Sequence, residues 1–185
     1  GDFYWIHKLS DGVLFSAADC TGHGVPGAMV SVVCYNALNR SVREFGQSSP
    51  EKILDKTREI VLETFQQNSA QVNDGMDAAL IAIRQTSAGT ILEFCGANNS
   101  AIIIRNQEII ELEGDKQPVG NYQDAKPFKL HRFALQKGDM LYLCTDGYAD
   151  QFGGPKGKKL KSKVLKELLL SLSVQPLYQQ KKKLV

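Results

Sequence analysis

The chain lacks any apolar run approaching the ~20 residues that span a bilayer, and no signal-peptide pattern opens it. Anything membrane-bound or sensory must then lie outside these 185 residues. A basic excess is missing too. Lys and Arg number 22 against 20 Asp and Glu, which excludes a general nucleic-acid binder, whose phosphate contacts need surplus positive charge. Much of the small surplus falls at Lys158, Lys159, Lys161, Lys163 and Lys166 and at Lys181, Lys182 and Lys183, and such a run reads as a solvated face or tail. Cysteine is scarce: Cys20, Cys34, Cys95 and Cys144 form no C-x-x-C pair, so zinc and redox motifs have no support. Their neighbours are apolar or small, as for buried thiols, and this points to a reducing, cytoplasmic compartment. Repeats and low-complexity linkers are absent. What is present, 43% hydrophobic residues, suffices for the core of one domain.

Phe3 to Leu9 and Val13 to Asp19 read as strands joined by a Ser10-Asp11-Gly12 turn. Pro26 suits the first turn of a helix that runs to Phe45, with Met29, Val32, Val33, Leu38 and Val42 on its apolar face and Gly46 as its stop. Ser49-Pro50-Glu51 opens a second helix, whose apolar face is Ile53, Leu54, Ile60, Val61 and Phe65. A polar loop from Gln66 to Gly75 leads to β-like runs at Met76–Arg84, Thr90–Cys95, Ser100–Arg105, Glu108–Leu112, Phe128–Leu135 and Asp139–Cys144. Ser162 to Leu172 reads as an amphipathic helix, and another begins at Pro176. Strands, two helices and then more strands predict an α+β fold with segregated layers, not a doubly wound parallel sheet. Trp5 and Phe15 read as core.

Two acidic corners stand out: Ala18-Asp19-Cys20-Thr21-Gly22-His23-Gly24 and Leu143-Cys144-Thr145-Asp146-Gly147. In each, a strand holds a carboxylate rigidly while small residues leave the turn open, which a hard divalent cation needs of its oxygen ligands. The competing reading makes Asp19 a helix cap and Asp146-Gly147 a plain turn. The glycine-rich turn before Pro26 shapes the loop, and helix-start N–H groups there also favour anions. His23 is either a general acid or a turn residue. His7 and His131 read as surface or packing residues, Asp77 as structural, and Asp150 as a bystander to the second corner.

Ala18 to Ala28 resembles the central metal motif of the SpoIIE-like branch of the PPM superfamily, the protein phosphatase two C type. Gly1-Asp2-Phe3-Tyr4-Trp5 is similar to its opening motif, and Leu141 to Gly147 to its late Thr-Asp-Gly motif. Gly75 to Leu80, Gly96-Ala97-Asn98-Asn99 and Gln117-Pro118-Val119-Gly120 resemble its intermediate pieces, in the same order. The resemblance implies a central antiparallel β-sandwich flanked by helices, in α-β-β-α layers, with two Mn²⁺ or Mg²⁺ ions at one edge. It implies that Asp19 bridges both ions, that the Cys20 carbonyl binds the first and Asp146 the second, and that Asp2 sits close by or binds directly. The implied reaction is hydrolysis of phosphoserine or phosphothreonine by a metal-bridged water. The implied substrate is a bacterial regulatory protein such as an anti-sigma-factor antagonist, and the implied controller is an attached sensor or receiver domain.

The family pattern also carries an edge strand before its opening motif and an Asp-Asp pair before its last strand. The expectation is therefore a single domain over 1–185, truncated at both ends, with free edges that favour dimers or strand exchange. Asn98 stands where the wider superfamily often has an aspartate for a third metal, which makes that site doubtful. The alternative to an enzyme is a catalytically weak module with the phosphatase fold that binds a phosphoprotein in a signalling protein.

Overall fold

In a computed structural model, residues 1–66, 74–153 and 158–184 are described. The polar loop expected at Gln66–Gly75 therefore lies largely outside the described residues. Strand β1 (Asp2–Lys8) turns through Ser10-Asp11 into β2 (Gly12–Cys20). Leu9 N–H donates to the Gly12 carbonyl at 2.9 Å and closes the hairpin. Helices α1 (Gly24–Arg43) and α2 (Pro50–Gln66) follow, then β3 (Gly75–Thr86), β4 (Gly89–Ala97), β5 (Ala101–Arg105) and β6 (Glu108–Leu112). The rest comprises β7 (Val119–Gly120), β8 (His131–Ala134), β9 (Met140–Leu143), β10 (Phe152–Gly153), β11 (Lys158–Lys159), α3 (Ser162–Leu172) and α4 (Leu177–Leu184).

Two antiparallel sheets stack. The larger runs β1-β2-β3-β4-β8, with β7 paired to the start of β3; the smaller runs β6-β5-β9. Strand β3 shows why its sequence is apolar almost throughout. Met76, Ala78, Leu80 and Ala82 face α1 and α2, while Ala79 and Ile81 face the second sheet. A strand covered on both faces needs no polar alternation. Likewise Ile103 of β5 enters the inter-sheet core with Phe94, while Ile102 and Ile104 pack against Leu165 and Leu169 of α3. The layers are thus α-β-β-α, as the resemblance implied.

Helix α1 departs from the expected face. Its buried residues are Gly27, Val30, Cys34, Ala37, Leu38 and Ser41, whereas Met29 and Val32 are 63% and 56% exposed. Small residues decide this, because they let the helix lie close on the sheet. Gly27 lies against the turn that precedes the helix, where an added Cβ would come within 2.5 Å of the Gly22 carbonyl oxygen. Helix α2 presents the expected Ile53, Leu54, Ile60 and Val61 to the core. Trp5 is buried and Phe15 only partly so. The run at Phe128–Leu135 shortens to the four residues of β8, and the brief β7, β10 and β11 have no counterpart in the sequence reading.

Candidate active site

The antiparallel register sets Asp2 of β1 opposite Asp19 of β2, and Asp19 opposite Asp77 of β3. By strand alternation all three carboxylates lie on the face turned toward the second sheet. Like charges placed directly across strands destabilise a sheet, so such a row is a mark of function rather than of stability. The Thr145-Asp146-Gly147 corner follows β9 and meets the row from the second sheet. Thr145 Oγ1 donates to Asp2 Oδ2 at 2.8 Å, and a Cβ on Gly147 would stand 3.1 Å from that same oxygen.

The electrostatics record this crowding. Burial, a side-chain hydrogen bond with Asp2 and the charges of Asp2 and Asp146 push the Asp19 carboxyl up to about 6. Burial and the Asp146 charge also raise Asp77, against the donation of Asn98 Nδ2 to Asp77 Oδ1 at 2.7 Å. Folding therefore makes Asp19 harder to ionise than in the unfolded chain. In the metal-free protein, stability falls as pH rises from the ordinary value of 3.8 toward about 6, then levels off. The expected result in chelator is that the melting temperature of Asp19→Asn gains on wild type across that window. Thermal unfolding at stepped pH checks it, and a constant gap would contradict the shift.

The Cys20 carbonyl accepts from the Gly1 nitrogen at 2.8 Å, and that nitrogen stands 3.6 Å from Asp19 Oδ1. Both oxygens thus face a common point. Among the described residues, no three His, Cys, Asp or Glu side chains converge tightly enough to enclose a metal as they stand. The donor set still fits a hard divalent cation. It is all oxygen, and burial together with the neighbouring carboxylates raises Asp19.

The residues set aside in the sequence reading fall as follows. His23, not Asp19, is the residue before α1, and it makes no side-chain cap, so the helix-cap reading of Asp19 is wrong. Asp19 belongs to β2. His23 is exposed and His7 stacks on Trp5 with ring centroids 5.8 Å apart. Asp150 is bound by Lys159 at 2.7 Å. Asp77, read as structural, joins the row. Its signals were its place at the start of β3 and in the Gly75–Leu80 motif, and they acquire meaning once β3 pairs with β2.

The family of stage II sporulation protein E matches residues 10–185. The chain belongs to the SpoIIE family. Among solved structures it is similar to the SiaA PP2C domain of Pseudomonas aeruginosa, at 29% identity and a TM-score of 0.86, over 99% of this chain and 70% of that one. The RsbU and RsbW domains of a Mycobacterium tuberculosis protein share the fold at 18% identity and a TM-score of 0.71, over 94% of this chain and 47% of theirs. The PP2C domain of SpoIIE from Bacillus subtilis, with a fragment of its regulatory domain, does so at 16% and 0.69, over 92% and 47%. The SpoIIE-family chain thus spans about half the length of these last two. Curated protein sequences yield no match. Family and fold together make this a PPM-type serine/threonine phosphatase domain, in agreement with the resemblance read from its motifs.

Proposed function

We propose that the domain hydrolyses phosphoserine or phosphothreonine on a regulatory protein in the cytoplasm, with Asp2, Asp19, the Cys20 carbonyl and Asp146 holding two Mn²⁺ or Mg²⁺ ions. One observation carries the reading: the carboxylates of Asp2, Asp19 and Asp77 stand in one row across adjacent strands, with Asp146 brought against them. Bound divalent cations would supply the positive charge that offsets the phosphoryl oxygens and would acidify a water nucleophile. The chain's own residues do the positioning. Thr145 orients Asp2, and Asn98 orients Asp77. Asn98 carries no charge, so a third ion at that position has weak support. All four cysteines are free, in keeping with a reducing compartment. An anti-sigma-factor antagonist is the partner class this reading favours, with a sensor or receiver domain as its control.

The test is release of inorganic phosphate from a phosphoserine protein in Mn²⁺ and in excess chelator. Turnover confined to the Mn²⁺ samples is expected, and equal turnover in both rejects the two-cation site. Cys20→Ala gives a further check. Its contribution to the site is a main-chain oxygen, so hydrolysis should fall less than about threefold while the buried side chain's loss costs about 1 kcal/mol of stability. A large drop in rate at unchanged stability would instead assign the thiol a role. No helix among the described residues is long and apolar enough to cross a membrane.

A further inference from the structure

Beside Asp146 lies a cavity of about 280 Å³ that also reaches Asn98 and Thr145 of the carboxylate site. It sits between the loop after β4, the first turns of α3 and the β5–β6 hairpin. Ile102, Ala149 and Leu165 line it with apolar surface, while Asn99, Ser100 and Ser162 bring polar groups to it.

Its charges cancel. Lys166 Nζ is 2.6 Å from Glu111 Oε2, so those two lining residues are paired with each other. Asp146 is the remaining charge, and a bound cation would take it. Hydrogen-bonding capacity is what remains. Ser100 and Ser162 on its walls supply it.

The walls are fixed in place. Asn98 N–H donates to the Asp115 carbonyl at 2.8 Å, and Asn99 N–H to the Ala97 carbonyl at 2.7 Å. A Cβ on Gly96 or Gly114 would come within 2.2 or 2.4 Å of the Asn99 carbonyl oxygen, so this loop is packed against bare backbone. Lys161 N–H donates to the Ala149 carbonyl at 2.8 Å and ties the start of α3 to the segment after Asp146. A cavity held this way before a ligand arrives spends little ordering entropy on binding.

We propose that this cavity receives an uncharged hydrogen-bonding side chain of the phosphoprotein (Asn, Gln, Ser or Thr) within two residues of the phosphoserine, and so selects which site is hydrolysed. The inference rests on the phosphatase reading above. Asp146 lines the cavity and belongs to the carboxylate site, so a peptide placed with its phosphate there needs only a residue or two to reach it, at ~3.4 Å per extended residue.

The test uses phosphoserine peptides in which each of the neighbouring positions carries in turn Asn, Ser, Glu, Lys or Ala, assayed in Mn²⁺ beside para-nitrophenyl phosphate. At one position within two residues, wild type is expected to favour Asn or Ser over Ala by roughly five- to tenfold in kcat/KM, seen in KM. Ser162 is exposed at the start of α3, so Ser162→Trp should fill the cavity without removing a buried side chain. In that variant, or in the smaller Ser162→Leu, the Asn-to-Ala ratio should fall to about one. An undiminished ratio in a folded variant overturns the inference. So does a wild-type preference for Glu or Lys at that position, or turnover of para-nitrophenyl phosphate with no positional preference. Failure to turn over either substrate would instead defeat the phosphatase reading, and this inference with it.

Discussion

Asp19→Asn is expected to lower Mn²⁺-dependent phosphate release by roughly a thousandfold or more, while making the metal-free protein more stable above pH 6. The two effects share one cause. Asp19 is the middle carboxylate of the row, with Asp2 on one side and Asp77 on the other. Its charge is costly without a cation, because Asp2 and Asp146 repel it and burial strips its water. In the proposed site, the same charge would draw a divalent ion into the corner that it shares with the Cys20 carbonyl. Asparagine keeps the shape, relieves the repulsion and removes the attraction. Thermal unfolding with and without Mn²⁺ separates these effects. Wild type should gain a larger melting-temperature increment from the ion, and the variant should start higher in chelator. A variant that hydrolyses at the wild-type rate would rule Asp19 out as a ligand. A variant less stable than wild type in chelator would contradict the repulsion.

Trp5→Ala is expected to carry the largest stability loss, about 3–5 kcal/mol, lowering the melting temperature by roughly 10 °C. Trp5 is almost wholly buried between β1 and α1, and its Nε1 donates to Asn39 Oδ1 at 3.1 Å. Truncation leaves a cavity and strands the Asn39 acceptor. Function should suffer along with stability, for β1 is the edge strand of its sheet and it carries Asp2. Weaker Mn²⁺ binding is therefore expected, even at temperatures where the variant stays folded. Trp5→Phe should restore part of the packing but not the bond to Asn39, recovering about half of the loss. Calorimetry on the three proteins checks the order; equal stability of wild type and Trp5→Ala would show that β1 is not held by this contact.

Local chemistry carried much of this protein into view. The β1–β2 hairpin, the opening residues of α2, the span of α3 and the acidic corners at Asp19 and Asp146 all follow from turn residues, caps and apolar spacing over short stretches. Such signals need no knowledge of what packs where, so they survive in the linear chain. The outer face of α1 did not follow. Met29 and Val32 are apolar enough to be taken for core, yet the helix turns Val30, Cys34, Ala37 and Leu38 inward against the sheet. Closeness of approach is a property of two surfaces and cannot be read from one.

The ordered motifs by themselves determined that this is an α+β domain of the phosphatase type, and its two acidic corners raised the expectation of a hard-cation site. Only the tertiary structure decided which carboxylates share a site. Asp77 enters because β3, two helices after β2, pairs with it in a register that sets Asp77 opposite Asp19, and a shift of one residue would have turned it to the helix side. Asp146 enters because the second sheet stacks so that Thr145 reaches Asp2. Register and stacking are settled by the burial of whole sheet faces at once, which is why no stretch of sequence could announce them.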